Sequence, residues 1–451
     1  MALQVMALGS ALAGYRVAVL RPESKPRIAL VKTCGGDVGG ATYRGTRAVV
    51  ELLLEHDEDF KRFADGLDGK VALVKPNLTK HPPEYSPHNK MTTDPMAVRA
   101  VVDWLLELGA ELVYIGECNS WGTWKAYELC GYRELFSREE YRGKVALLDL
   151  RTKSESERFY VEYKLKMDPL GPEDASYLRG YVEGRHATLV KFGRSKRVDV
   201  ELALSTRYGF NRVLREVDLI VNVAKLKTQV QTVVSLSVKN LFGLLEPVRA
   251  KHAKHLGLDP LQEDISRREL LISYLNLSRS LAGLAAAVSS LGPPILHIVE
   301  GGIAMEGEGP LEHGAAREDR LVAGAWRCGA TLDAVLSAEY MMISHKGRPY
   351  VPYYVSLASI NGLGPADPSC ASLILACDRG QPKSVRDLNS KPFTPPKVLQ
   401  LGCAPPYSLG ESLLATLDRC VRELIAAGVD PDEPVTIVED KTVPEVVLRE
   451  F

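Results

Sequence analysis

Among the eight cysteines of this sequence there is no CxxC pair and no clustered His/Cys set. That excludes a zinc ribbon or a ferredoxin-type iron–sulfur run, whose ligands come at short fixed spacings. A GxxxxGKS/T phosphate loop, a GxSxG nucleophile elbow and an HExxH zinc helix are missing as well. The segment CGGDVGG holds Gly35, Gly36, Gly39 and Gly40, but not at the spacing of a dinucleotide fingerprint. Neither sign of charge is in excess: 56 Lys and Arg stand against 57 Asp and Glu, for a net charge of -1. No whole-molecule field draws the chain to nucleic acid or to an anionic membrane, so any anion site has to be local. Asn and Gln are scarce beside Arg, Glu, Val and Leu, a balance that points to a thermophile although high-GC mesophiles share it. Beyond the apolar opening MALQVMALGSALAGYRVAVL, no segment is expected to reach membrane length. The opening lacks a basic leader and is broken by Gly14 and Arg16, so residues 1–26 read as an irregular leader on a cytoplasmic protein with no membrane partner.

What is present is a folded chain. At 451 residues, with 45% hydrophobic and 25% charged residues, it is long enough for two or three lobes or one large sheet with insertions. Apolar runs alternate with helical patterns, which predicts an α/β fold: a mostly parallel sheet with helices on both faces. RIALVKT (27–33), VALVKPN (71–77), ELVYIGE (111–117), KVALLDL (144–150), DLIVNVAKL (218–226) and ILHIVEG (295–301) read as strands. Residues 46–67, 94–109, about 261–291 and 330–343 read as helices, the second opening on an Asp cap followed by Pro. RFYVEYKLKM, ATLVKFG and RVDVELAL predict a small antiparallel β insertion over about 155–206 within a main domain of residues 27–345. Residues 346–451 read as a C-terminal α/β extension packed on it, with strands at SLILACD, KVLQLGC and PVTIVED and a helix at 408–428. The cysteines are expected to be buried free thiols, unless Cys370 and Cys377 form a disulfide of the kind hyperthermophiles tolerate.

Ligands of such sheets bind beyond the carboxyl ends of the strands, where loops carry polar groups without burying them. Read that way, Lys75 and Asn77 leave one strand, and Thr92 and Thr93 precede a helix start. An ammonium and two hydroxyls beside free backbone amides suit a phosphate or carboxylate; taken alone, Lys75 reads equally as a solvated strand end and Thr93 as a helix cap. Glu117 and Asn119 leave the next strand, and Lys225, Lys227, Thr228, Lys239 and Asn240 surround a run too apolar to be a solvated face. Lys225, Lys239 and Glu300 are the candidates for catalysis. Lys75, Asn77, Thr92, Thr93, Glu117, Asn119, Lys227, Thr228 and Asn240 are the candidates for substrate binding. The basic run Arg249, Lys251, His252, Lys254 and His255 reads as an exposed face. In EGGIAMEGEGP (300–310), Glu300, Glu306 and Glu308 stand among glycines that free the backbone, so they are candidate oxygen ligands for Mg²⁺, with Asp333 facing the same loop; a tight turn with surface carboxylates is the alternative.

In this order, VALVKPN, TTDP, the strand-end GE at 116–117, VNVAKLKT, SLSVKNLFGLL, EGGIAMEGEGP and LDAV resemble the domain of unknown function 362 family over about residues 27–345. The resemblance implies an α/β domain and little about activity. Many relatives carry a ferredoxin-like iron–sulfur segment that this chain lacks, so no intrinsic iron–sulfur cluster is expected here. Relatives commonly place His after KLKT, where this chain has Gln229, and Asp at the position of Glu300. The leading expectation is therefore an enzyme or binder of an anionic small molecule. Nucleic-acid or ribosome association through the stretches 185–197 and 225–255 is a different class of function, disfavoured by the neutral charge and the lack of stacking aromatics. A redox protein borrowing a flavin or an external cluster is a third.

Overall fold

A computed structural model describes residues 11–23, 25–191, 198–258, 260 and 263–438. In chain order the strands are β1 (Arg16–Leu20), β2 (Arg27–Lys32), β3 (Val71–Pro76), β4 (Leu112–Glu117), β5 (Val145–Asp149), β6 (Arg158–Glu162), β7 (Arg207–Asn211), β8 (Leu219–Gln229), β9 (Val233–Ser235) and β10 (Ile265–Ser266). They continue with β11 (Ile295–Gly307), β12 (Gly314–Trp326), β13 (Ser344–His345), β14 (Arg348–Pro349), β15 (Ser372–Cys377) and β16 (Pro434–Val435). One ten-stranded sheet runs β1-β15-β2-β12-β11-β8-β3-β4-β5, with β9 added to β8. Strands β15, β2, β11, β8, β3, β4 and β5 point the same way, while β1, β9 and β12 oppose them. The fold is therefore α/β with a mostly parallel sheet.

Alternation along the strands explains why both faces are covered. Ile28, Leu30, Leu73 and Ile220 enter one core, and Ala29, Val31, Ala72, Val74, Leu219 and Val221 the other. Successive strand residues point to opposite faces, so a run apolar at every position must be buried on both sides. Helices Val38–His56 and Pro95–Glu107 cover the second face; the latter is capped by the Asp94 side chain, with Pro95 in its first turn. The first face takes the helix Arg267–Ser289, which opens on a capping box between Ser266 and Glu269. Contrary to the sequence expectation, this helix is long and apolar enough to cross a membrane, but the apolar window lies wholly inside the protein.

Several elements differ from expectation for local reasons. Residues 46–67 form two helices because the Asp57 side chain accepts amide bonds from Asp59 and Phe60 and restarts the helix. The segments ATLVKFG and RVDVELAL are not strands. The first lies in the end of the helix Pro172–Lys191 and runs on to residues 192–193, outside the described residues, while Asp199 caps the short helix Val200–Leu204. The antiparallel insertion is the β6–β7 pair flanking them. Residues 16–20 are not irregular but pair along β15, and residues 1–10 of the expected leader lie outside the described residues. KVLQLGC opens as the helical turn Lys397–Gln400, entered through Pro396 at φ -70°. In the helix expected over 330–343, Gly329–Val335 is α-helical and Leu336–Tyr340 is π-helical. Of PVTIVED only Pro434–Val435 is a strand, and residues 439–440 are not described. All eight cysteines are free, but only Cys118, Cys130, Cys403 and Cys420 are buried; Cys370 is exposed and forms no bond with Cys377.

Candidate functional site

At the carboxyl ends of β3, β4 and β8 lies a cavity of about 250 Å³, room for roughly eight water molecules at ~30 Å³ each. Its walls include Lys75, Asn77, Glu117, Asn119, Lys239 and Asn240, drawn from segments far apart in sequence. Lys75 is the end of an apolar strand and donates from Nζ to Glu117 Oε2 at 2.8 Å, to Asn240 Oδ1 at 3.0 Å and to the Pro76 carbonyl at 2.7 Å. Burial lowers its pKa although Glu117 works in the opposite direction. Asn240 also donates to Asn222 Oδ1 at 2.8 Å, and Asn222 meets His297 Nδ1 at 3.2 Å. His297 is buried at the other end of this chain of amides, which pushes its pKa down to about 3. Asn77 is held by Nδ2 donation to the Met91 carbonyl at 2.9 Å, and Asn119 Oδ1 accepts the Trp121 amide at 2.6 Å.

Lys239 has a different environment. Its Nζ donates to Thr232 Oγ1 at 2.9 Å and has no carboxylate within ion-pair reach among the described residues. Burial, with the charge of Lys227 added, holds its pKa well below that of a free lysine. Thr232 belongs to the β8–β9 turn, where its hydroxyl meets Gln229 Oε1 at 2.7 Å and Gln229 Oε1 accepts the Gln231 amide at 2.8 Å. Val233 closes that turn at φ 70°. A β-branched residue in the left-handed region stores about 1–3 kcal/mol of strain, a level seen where surrounding structure over-determines a functional turn.

Lys251 was not expected here. It lies in the run read as exposed, yet both Lys251 and Lys254 are buried: Lys251 lines the cavity and donates to the Cys118 carbonyl, and Lys254 donates to the Ser205 carbonyl at 2.7 Å. The sequence signal was the apolar spacing of Ala250, Ala253 and Leu256, all buried, which turns parts of the helix Val248–Lys254 inward. Arg249 keeps the exposed position, and His255 is half-buried. Of the stretch 185–197, residues 192–197 lie outside the described residues.

The other expected residues lie outside the cavity lining. Lys225 and Glu300 are both fully buried and pair at 2.8 Å, because β8 and β11 put them in register. Glu300 further accepts the amides of Asp94 at 2.9 Å and Gly302 at 3.0 Å, so two of the three candidates for catalysis are closed within the middle of the sheet. Lys227 donates to the Met91 carbonyl at 3.1 Å; burial, then the charges of Lys225 and Lys75, push it down to about 7. Thr93 bridges β3 and β8, donating to the Val223 carbonyl at 2.8 Å and accepting the Asn77 amide at 2.8 Å. Thr92 meets Cys130 Sγ at 3.3 Å, and Thr228 donates to the Gly307 carbonyl at 2.8 Å.

Glu300, Glu306 and Glu308 do not form a metal-ligand set. The segment expected as a loop is the continuation of β11, with a register shift between Gly301 and Ile303. Glu306 pairs with Arg317 at 3.4 Å and Glu308 Oε1 accepts the Lys397 amide at 2.8 Å, both away from Glu300. The glycines serve packing: side chains at 301 and 302 would run into Leu226 and Thr42. Asp333 does not face this segment either. It accepts the amides of Ser237 at 2.8 Å and Val238 at 2.9 Å, fixing the turn that carries Lys239 and Asn240, and burial pushes its pKa up to about 7.

A model of the family described as Domain of unknown function (DUF362) matches residues 72–166 and 175–336. The match spans β3 through β12 and so contains most of the cavity lining. No curated protein matches the sequence. A crystal structure of a protein from Thermotoga maritima is similar at 12% identity, covering 61% of this chain and 54% of that one, with a TM-score of 0.32. At that score the likeness carries no argument about this chain.

Proposed function

This chain belongs to the Domain of unknown function (DUF362) family, and because that description assigns no chemistry, we propose from the cavity that the protein binds a small anionic molecule, phosphorylated or carboxylated. One observation carries the reading: the lining holds three lysines, Lys75, Lys239 and Lys251, against a single carboxylate, Glu117. Glu117 is already committed to Lys75, so no carboxylate of the wall is left to pair with Lys239 or Lys251. Buried charge is stable only when compensated, and a bound anion supplies the compensation. Lys239 is the sensor in this scheme. Its pKa is depressed when the cavity is empty and returns toward its ordinary value when a negative group enters, so binding takes up a proton.

Asn77, Asn119, Gln229 and Gln231 add amide donors and acceptors around the charge, which suits a ligand with hydroxyl or carbonyl groups as well as its acid. Lys227 stands behind the wall, and its charge adds to burial in lowering the Lys239 pKa. Low Asn and Gln content supports a thermophilic source, and we read the protein as cytoplasmic. A thermal-shift screen of phosphorylated and carboxylated small molecules tests the reading on wild type, Lys239→Met and Lys251→Met. Stabilisation of wild type that both variants lose supports it; equal response of all three chains overturns it.

A further inference from the structure

We propose that Cys34, Cys377 and Asp378 form a second site, separate from the lysine cavity, that binds a thiophilic divalent metal of the zinc class. Cys377 ends β15, and Cys34 lies two residues beyond the end of β2. The two strands run parallel with Cys377 opposite Lys32, so both thiols leave the sheet at the same end. One ligand atom from each of the three residues lies within 4.8 Å of the others, and all three residues are half-buried, within reach of aqueous metal. Tetrahedral coordination with metal–sulfur bonds of about 2.3 Å sets sulfurs about 3.8 Å apart, a closure that side-chain rotation supplies.

Asp378 is already oriented for this task. Its carboxylate accepts the Cys34 amide at 2.9 and 3.0 Å and the Gly35 amide at 3.0 Å, and among the described residues it forms no ion pair. Hydrogen bonds of this kind hold a ligating carboxylate in place while leaving its outward lone pairs free. Two thiolates and one carboxylate select zinc or cobalt over magnesium or calcium, and three protein ligands leave a fourth position for water. Burial and the neighbouring Cys377 and Asp378 raise the Cys34 pKa, which favours its thiol form. On binding, each thiol releases its proton to solvent as its sulfur–metal bond forms.

The test is a Co²⁺ titration of the full chain under reducing conditions, repeated on Cys34→Ser, Cys377→Ser and Asp378→Asn. Expected are one Co²⁺ per chain with a thiolate-to-cobalt absorption band, loss of the band in both serine variants, and affinity lower by about 10-fold or more in Asp378→Asn. Zn²⁺ should bleach the band and protect two thiols of wild type from alkylation, while the exposed Cys370 stays reactive as an internal control. No band and no zinc-dependent protection in wild type, or a band that persists in both serine variants, overturns the proposal. The wild-type arms do not depend on whether a variant folds.

Discussion

Lys225 and Glu300 face each other across the β8–β11 pairing, Nζ 2.8 Å from Oε1, with neither side chain exposed to solvent. Removing one partner of such a pair leaves an uncompensated buried charge, which costs about 3–5 kcal/mol, whereas replacing both with apolar groups of similar size is far less damaging. Lys225→Met and Glu300→Gln should each lower unfolding stability by that order in urea titrations. The double variant Lys225→Met/Glu300→Leu should recover most of the loss. Single variants as stable as wild type would show that the pair is solvated.

Gly243 marks the second buried pair. A Cβ at this position would run into Glu117 Oε1 and into Nζ and Cε of Lys75. Gly243→Ala should therefore separate Lys75 from Glu117, lower stability by about 1–3 kcal/mol as overpacking does, and weaken anion binding. Unchanged stability and unchanged ligand response in the screen would contradict the close packing of this wall.

How far these features were legible follows from where each signal lies. Lys75 and Glu117 were readable because β-branched runs locate strands and strand ends locate ligand sites. Their pairing was not, since the lateral order of parallel strands is a tertiary property; the same holds for Lys225 with Glu300. Glu306 and Glu308 misled because glycine at 301 and 302 reads as loop freedom, whereas here it admits Leu226 and Thr42 against a continuing strand. Lys251 was hidden by its basic neighbours, and Cys34 lies 344 residues from Asp378, beyond any spacing rule.

Lys227 gives a pH prediction with a definite sign. Burial and the charges of Lys225 and Lys75 put its folded pKa at about 7, against about 10.4 in an unfolded chain. Between these values the unfolded state binds more protons, so stability rises with pH, by at most about 1.4 kcal/mol per pH unit for this group. Below about pH 7 both states are protonated and its contribution is flat. Lys254, also pushed to about 7 by burial, acts in the same direction. Lys227→Met should reduce the slope of stability between pH 7 and 10 in urea titrations; an unchanged slope would show that Lys227 stays charged in the folded protein.

His297 supplies an acid limb. Buried and pushed down to about 3, it should contribute stability that is present above its unfolded value of about 6.5 and is lost progressively as pH falls toward 3. His297→Asn should flatten this limb in thermal melts across that range, and an identical limb in both chains would assign the loss to other groups.

The central claim, that a lysine-rich cavity takes an anion together with a proton, is tested most directly by calorimetric titration with inorganic phosphate in two buffers of different ionisation enthalpy at pH 8. The account predicts saturable binding whose heat differs between the buffers by the amount expected for proton uptake, with the uptake abolished in Lys239→Met. Binding with no buffer dependence, or no binding by wild type, would contradict it.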